Sequence, residues 1–465
     1  MPENKILRRY EAQDLLASGF NLRVPCLVEG ISSKPLRCQK ILRMLPGKRL
    51  VFLADDSSGE KLIIKLMGRG AYAVKQHNRE IEGSQALTSA GLTTPTVVDH
   101  GIDLTRKISF VSYRYLAQGV NLSEIFKQSD NRKKTVLLET VFQIIARMHN
   151  HDIFQQDIHL ENFMLQNEKI YTLDCASIVK PTSKKVINRM AITNLGLFVA
   201  QLYPHLDPII ERCFDQYRRE INHLSFSFQQ VKQAAFSART NRMQRYRKKV
   251  FKSTSAHCCT RSWQRYLICR RESCDDDMNA FFRDPDAAIN QGKTLKAGNS
   301  ATVSLVSIGS QKYVVKRYNI KGIWHSIKRL FQTTRAWRSW RSAHMLALLD
   351  IETPQPVALL EYRFGPLRRR AYLVTEYLAT ETGTFLNELI NKGLTEEQGE
   401  KLFAPLFNKM QHAKISHGDF KASNFFIKDN SILVIDLDAM RLHKTKRSAE
   451  AAISKDRDRF HQNWS

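Results

Sequence analysis

Two stretches of the chain carry carboxylates and an amide at matching intervals. Residues 154–178 read FQQDIHLENFMLQNEKIYTLDCASI, and residues 416–440 read SHGDFKASNFFIKDNSILVIDLDAM. Asp157 and Asn162 are five apart, as are Asp419 and Asn424, and Asn162–Asp174 and Asn424–Asp436 are each twelve apart. Such a set suits phosphoryl transfer, which needs a positioned acceptor, neutralised phosphates and a bound magnesium more than it needs covalent help. An Asp can accept the acceptor hydroxyl's proton. An Asn five residues on and an Asp beyond it can supply oxygen ligands to magnesium. A lysine can hold the nucleotide phosphates, and one closes a β-type run upstream of each set: Lys65 in LIIK, 92 residues before Asp157, and Lys316 in YVVK, 103 before Asp419.

Elements must place these residues, and they too recur. After each lysine comes a helix-like stretch and then Thr-Pro (Thr94-Pro95, Thr353-Pro354). A second β-run follows, Phe110–Tyr113 or Tyr372–Thr375, and a third precedes the last Asp of each set (Ile170–Leu173, Ile432–Ile435). A single Asp-x4-Asn is ordinarily a turn or a helix cap. Four landmarks recurring in one order mark an internal repeat. The reading is α+β, in two tandem domains of one fold. The first spans residues 1–255, with its motif core at 40–180 and a helical, basic tail. The second spans 256–465, with Trp263–Cys269 as its first strand.

Strand Lys, loop Asp, Asn five on and a further Asp resemble the protein-kinase signature. The resemblance implies, for each domain, a small antiparallel N-lobe and a mainly helical C-lobe. With 29 residues left after Asp436, the second C-lobe is truncated. It also implies roles. Asp419 would be catalytic base, Lys421 would lie near the transferred phosphate, Asn424 and Asp436 would bind metal, and Lys316 would anchor phosphate. The first copy offers Asp157, Asn162, Asp174 and Lys65, and looks more like small-molecule kinases. Adenine would lie near Glu376-Tyr377-Leu378, or near Arg114-Tyr115-Leu116 in the first copy. Glu82, thirteen before Pro95, suits the helix acid that pairs Lys65, with Glu80 as second choice. The second copy departs here, because no acid occurs from Val315 to Leu349. Neither copy has a full glycine-rich loop. Gly298 in KAGNSAT could let backbone N–H groups approach phosphate or could form a plain hairpin.

The 72 Lys plus Arg against 45 Asp plus Glu give a charge of +27, which predicts an acidic partner. With 43% apolar residues the chain is globular. It shows no run long enough to span a bilayer and no signal-peptide core at its start. The eight cysteines do not form a disulfide framework, and His257, Cys258, Cys259, Cys269 and Cys274 lack paired zinc-knuckle spacing. Between Val315 and Leu349 eight Lys or Arg interleave with Trp324, Trp337 and Trp340. This reads either as an amphipathic helix on an anionic membrane or as a helix packed on its own domain with a solvated basic face. The basic run 239–252 has no nucleic-acid recognition motif beside it.

The strand exit Lys316–Gly322, the Trp/Arg-rich helix and HGDFKASNF together resemble the bacterial lipopolysaccharide core kinases, the heptose and Kdo kinase family. That resemblance implies transfer of a phosphate from Mg-ATP to a core sugar. The acceptor would be an anionic glycolipid, met at the cytoplasmic face of the inner membrane by a cytoplasmic, peripheral protein. Two other readings stay open: a kinase for a protein or small-molecule acceptor, and a catalytically dead tandem scaffold.

Overall fold

The computed structural model describes residues 7–17, 22–32, 35–181, 183, 186–319, 333–365, 367–429 and 431–465. Its contacts divide the chain into two compact units, residues 1–202 with 207–238, and residues 203–206 with 239–465. Both are α+β.

In the first unit, β1 (Arg8–Glu11), β2 (Cys26–Glu29), β3 (Leu36–Leu45), β4 (Arg49–Asp55), β5 (Lys61–Met67), β6 (Val97–Asp103) and β7 (Ile108–Arg114) form one sheet in the order 1-2-3-4-5-7-6. β1 and β2 are parallel and the other neighbours antiparallel. Alternation sets the faces. Leu50, Phe52 and Ala54 of β4 join Leu62, Ile64 and Leu66 of β5 in one core. The odd positions of β5, including Lys65 and Met67, therefore face the other way. There Met67, Val111 and Tyr113 pack on Ala73 of helix α1 (Ala71–Ser89). Gly83 lets this helix approach the loop after Asp174, where an added Cβ would lie 2.0 Å from the Cys175 carbonyl oxygen.

The helical part of this unit is built on α2 (Asn131–Asn150), α3 (Ile187–Gln201) and α4 (Asp207–Glu220). Asp130 caps α2 by accepting from the Lys133 N–H. Leu138, Val141, Phe142 and Ile145 recur at helical spacing and are buried. Phe142 meets Phe198 and Phe214 edge-on. His149 lies between the Tyr217 hydroxyl (2.9 Å) and Asn194 (3.1 Å). Burial pushes its pKa down to about 4. The division between units falls inside the next helix, α5 (Phe228–Lys249).

In the second unit the sheet is built from β8 (His257–Arg261), β9 (Arg265–Arg270), β10 (Lys293–Gly298), β11 (Ala301–Ile308), β12 (Gln311–Tyr318), β13 (Pro356–Phe364) and β14 (Leu367–Glu376). The order is 8-9-13-14-12-11-10, antiparallel throughout. One strand, β8, precedes the strand expected near Trp263. Its sequence HCCTR has no apolar alternation to announce it. The contacts group residues 239–255 with this unit, whose sheet begins at His257.

Between β12 and β13 lies α6 (Arg335–Ala347), capped by the Thr334 hydroxyl. Trp340 is fully buried and donates from Nε1 to the Val250 carbonyl at 2.8 Å. Trp337 stacks on Phe251, ring centroids 3.9 Å apart, and lies under Arg363 and Arg368. Trp340 is core and Trp337 is half-buried against the same cluster, and Trp324 lies outside the described residues. Helices α7 (Glu396–Ala413) and α8 (Lys446–His461) complete the unit. Phe403, Phe407 and Phe460 form the bed on which Phe420 and Phe425 rest.

Candidate active site

The twelve-residue interval between Asn and Asp is the length of a hairpin. Phe425–Lys428 pairs with Ser431–Val434, and the Ile435 N–H returns to the Asn424 carbonyl at 2.9 Å. In the first unit Phe163–Gln166 pairs with Lys169–Thr172, and the Leu173 N–H reaches the Asn162 carbonyl at 2.7 Å. Each hairpin brings its Asn and its Asp to the same end.

In the second unit the loop before the hairpin is held from several sides. His417 Nε2 donates to the Ile435 carbonyl at 2.9 Å, leaving Nδ1 to accept the Asp419 N–H at 3.3 Å. Gly418 has φ +81°, a conformation that favours glycine, and a Cβ there would meet the Ala439 carbonyl oxygen at 3.0 Å. Asn424 Nδ2 donates to the Asp419 carbonyl at 2.9 Å, which leaves its Oδ1 available. Asp456 of α8, buried, accepts the N–H groups of both His417 (2.7 Å) and Gly418 (2.9 Å). Burial pushes its carboxyl up, while those two donors and His417 pull it down. Asn463 accepts the Ala422 N–H and donates to the Phe420 carbonyl. Reading the loop alone misses Asp456 and Asn463, because they lie 37 and 44 residues beyond Asp419. Asp456 sits in the second half of α8 and Asn463 just past its end, and no motif there signals either.

Lys316 Nζ contacts Asp436 Oδ1 at 2.5 Å and Asp438 Oδ2 at 3.7 Å. Burial works against its charge, but Tyr318 and the two carboxylates raise its pKa on balance. Burial alone would raise Asp436, yet Lys316 holds it below the usual carboxylate range. Asp436 has φ +58°, in the left-handed region uncommon for a residue with a side chain. The acid missing from the helix is replaced from the loop: Asp438 faces Lys316 and also takes Arg335 of α6 at 2.5 Å. Gly298 closes a two-residue hairpin, pairing with Ala301, and its carbonyl accepts from Asn319 at 3.2 Å. Glu376 ends β14 with Arg270 at 3.6 Å, and Leu378 is half-buried two residues on.

Asp419 is partly shielded, with 29% of its side chain exposed; Arg459 lies 3.4 Å and Lys421 3.5 Å from its Oδ1. Beside it opens a cleft of about 1310 Å³ that Gly418 and Arg459 help to line. Seven of the lining residues are Lys or Arg, and its acids are Asp438 and Asp456, both engaged as described. Arg338, Arg341, Arg441 and Lys455 have no carboxylate within 4 Å among the described residues. The cleft is built to receive anionic groups.

In the first unit, Lys65 Nζ pairs with Glu80 at 2.7 and 2.9 Å. Glu80 is buried and also accepts from the Tyr113 hydroxyl at 2.8 Å. Burial opposes the Lys65 charge, but Glu80 leads the groups that raise its pKa on balance. Glu82, the position expected from counting back from Pro95, is exposed. Two residues along a helix turn the side chain by about 200°, so only one of the pair can face the sheet. Asp174 has φ +58°, as Asp436 does. Asn162 Nδ2 donates to the Asp157 carbonyl at 2.5 Å. Gln155 does the work of His417, donating to the Leu173 carbonyl at 2.7 Å. Asp157, however, is 75% exposed, and among the described residues its carboxylate has His159 as its one ion-pair partner, at 3.8 Å.

Residues 279–463 match the model of the lipopolysaccharide kinase (Kdo/WaaP) family. The match covers the loop, the hairpin, Lys316 and most of the cationic cleft. Among curated proteins none matches the chain. On the family match the chain is a phosphotransferase with an alcohol group as acceptor. No helix among the described residues is long and apolar enough to cross a membrane.

Proposed function

We propose that the second unit transfers the γ-phosphate of ATP to a hydroxyl of a heptose or Kdo sugar in the lipopolysaccharide inner core, at the cytoplasmic face of the inner membrane. The observation that carries this reading is the cationic cleft beside Asp419, within a segment that matches a lipopolysaccharide kinase family. A neutral sugar would gain little from seven cations. A core sugar bearing carboxylates and phosphates would be held by them.

Asp419 accepts the hydroxyl proton as the sugar oxygen attacks. Asp436 and the free Oδ1 of Asn424 are hard oxygen donors at one end of a hairpin, which fits a magnesium ion, and that ion when bound neutralises phosphate charge. Lys316, kept cationic by Asp436 and Asp438, holds phosphate oxygens. Lys421 leaves Asp419 to meet the transferred group. Adenine lies by Glu376 and Leu378, and the Gly298 hairpin covers the phosphates.

The first unit keeps the Lys65–Glu80 pair, and that pair favours a nucleotide site there too, in a tandem kinase-like architecture with Asp157, Asn162 and Asp174. The exposure of Asp157 and the absence of a cationic surround among its described neighbours favour a supporting role for it. The scaffold reading drew on the missing helix acid of the second unit, and Asp438 now fills that place.

The test is a mass spectrum of core oligosaccharide from a strain lacking the gene, complemented with wild type, Asp157→Asn or Asp419→Asn. One phosphate group lost, and restored by wild type and Asp157→Asn but not by Asp419→Asn, is the expected result. An unchanged core in the deletion strain would sink the lipopolysaccharide assignment.

A further inference from the structure

The second unit carries a further cavity, on the face of its sheet that Tyr318 shares with Lys316, where the end of α5 and the face of α6 meet strands β8, β9, β13 and β14. Its volume is about 620 Å³, and seven of its eleven lining residues are Lys or Arg, with no acid among them. It adjoins the larger cleft, sharing Arg247 and Arg341 with it.

The interior is built rather than incidental. Arg363 is nine-tenths buried, at 10% side-chain exposure. Its Nε donates to Glu361 at 2.6 Å, and its Nη2 has no hydrogen-bond partner. Arg368 approaches the same carboxylate at 3.6 Å and leaves Nη1 without a hydrogen bond. One fully buried glutamate thus serves two guanidinium groups and also accepts from Thr334 at 2.6 Å. Both guanidinium groups lie over the Trp337 ring, which fixes their planes. Burial, and then the charges of Arg247 and Arg338, pull the Arg341 pKa down. A buried guanidinium nitrogen without a partner is costly, and so is packing like charges together. An anion resolves both.

We propose that this cavity is a second anion site, which binds a phosphate group through Arg363, Arg368 and Arg341, with Lys248 and Arg261 at its rim. The planar forks match phosphate oxygens in pairs. The site adjoins the cleft beside Asp419 and shares Arg341 with it, but Arg363 and Arg368 line this cavity alone, and the proposal stands whether or not the acceptor is a lipopolysaccharide sugar. The phosphate could be carried by a soluble phosphorylated saccharide or by a lipid headgroup, and the test separates them.

Full-length protein is titrated calorimetrically with inorganic pyrophosphate, and sedimented with phosphatidylcholine vesicles with and without phosphatidic acid. Lys248→Ser/Arg261→Ser alters only exposed rim residues, so folding is retained. Arg441→Ser/Lys455→Ser, in the larger cleft alone, serves as comparison. Wild type should show two classes of pyrophosphate site. The rim variant should weaken one class at least about tenfold, the loss of one to two charge-assisted contacts, and the comparison variant should leave that class intact. If the rim variant also loses sedimentation with phosphatidic acid, the source is a headgroup. If its sedimentation matches wild type, the source is soluble. Pyrophosphate binding that the rim variant leaves unchanged overturns the proposal.

Discussion

Asp456→Ala should uncouple the Asp419 loop from the helix that holds it. The carboxylate accepts two backbone N–H groups, from His417 at 2.7 Å and Gly418 at 2.9 Å, in a buried setting. Alanine leaves both donors without an acceptor, at about 1–3 kcal/mol each. The sum is about 2–6 kcal/mol, which for a unit of this size lowers its melting temperature by roughly 4–24 °C. Asp456→Asn keeps one acceptor oxygen and turns an amide N–H₂ toward the second donor, so it should lose about half as much. Activity should fall further than stability explains. Asp419 follows Gly418 directly, and a displacement of about 1 Å at a reacting group costs on the order of 100-fold in rate. Thermal melts and initial rates of phosphate transfer, run well below each variant's melting temperature, separate the two effects. An alanine variant that melts within 1 °C of wild type and turns over normally would refute the reasoning.

Glu80→Gln should destabilise the first unit by about 3–5 kcal/mol, because it leaves Lys65 buried without its counter-charge, whereas Glu82→Gln should stay within about 0.5 kcal/mol; urea unfolding distinguishes them. Trp340→Ala should cost the second unit about 3–5 kcal/mol, read from the same curves. A chain beginning at residue 256 loses Val250 and Phe251 from beneath Trp340 and Trp337 and should not give a cooperative melt, while one beginning at 239 should. His149 is held neutral, with its folded pKa near 4 against 6.5 unfolded. Its contribution is therefore complete above pH 6.5 and is lost as the pH falls toward 4, about 3 kcal/mol in all. Denaturation of His149→Gln across that range should show a flatter slope than wild type.

The meeting of Asn and Asp at one end of each hairpin was legible because hairpin length fixes their spacing: two paired four-residue strands and a turn lie between Asn424 and Asp436 whatever the side chains between them. The strand lysines were legible for the same local reason. Partners brought in from a distance were not. Glu80 and Glu82 both sit before Pro95 on one helix, and only the face α1 turns to the sheet tells them apart. Asp438 reads in sequence as a second acid after Asp436, and nothing local says that it closes on Lys316 and Arg335. Asp456 and Asn463 reach the loop only through the packing of α8. Trp337 and Trp340 share the i, i+3 spacing of a surface-seeking helix, but β13, β14 and residues 246–251 cover them, and helical periodicity cannot report what lies against a face.

The central claim is that Asp419 in the second unit performs phosphate transfer. Purified protein is incubated with γ-labelled ATP, magnesium and core lipopolysaccharide from a strain lacking the gene, and label in the glycolipid is counted for wild type, Asp157→Asn and Asp419→Asn. The account predicts labelling by wild type and Asp157→Asn, and a loss of at least about 100-fold with Asp419→Asn. Labelling that survives Asp419→Asn and disappears with Asp157→Asn would contradict it.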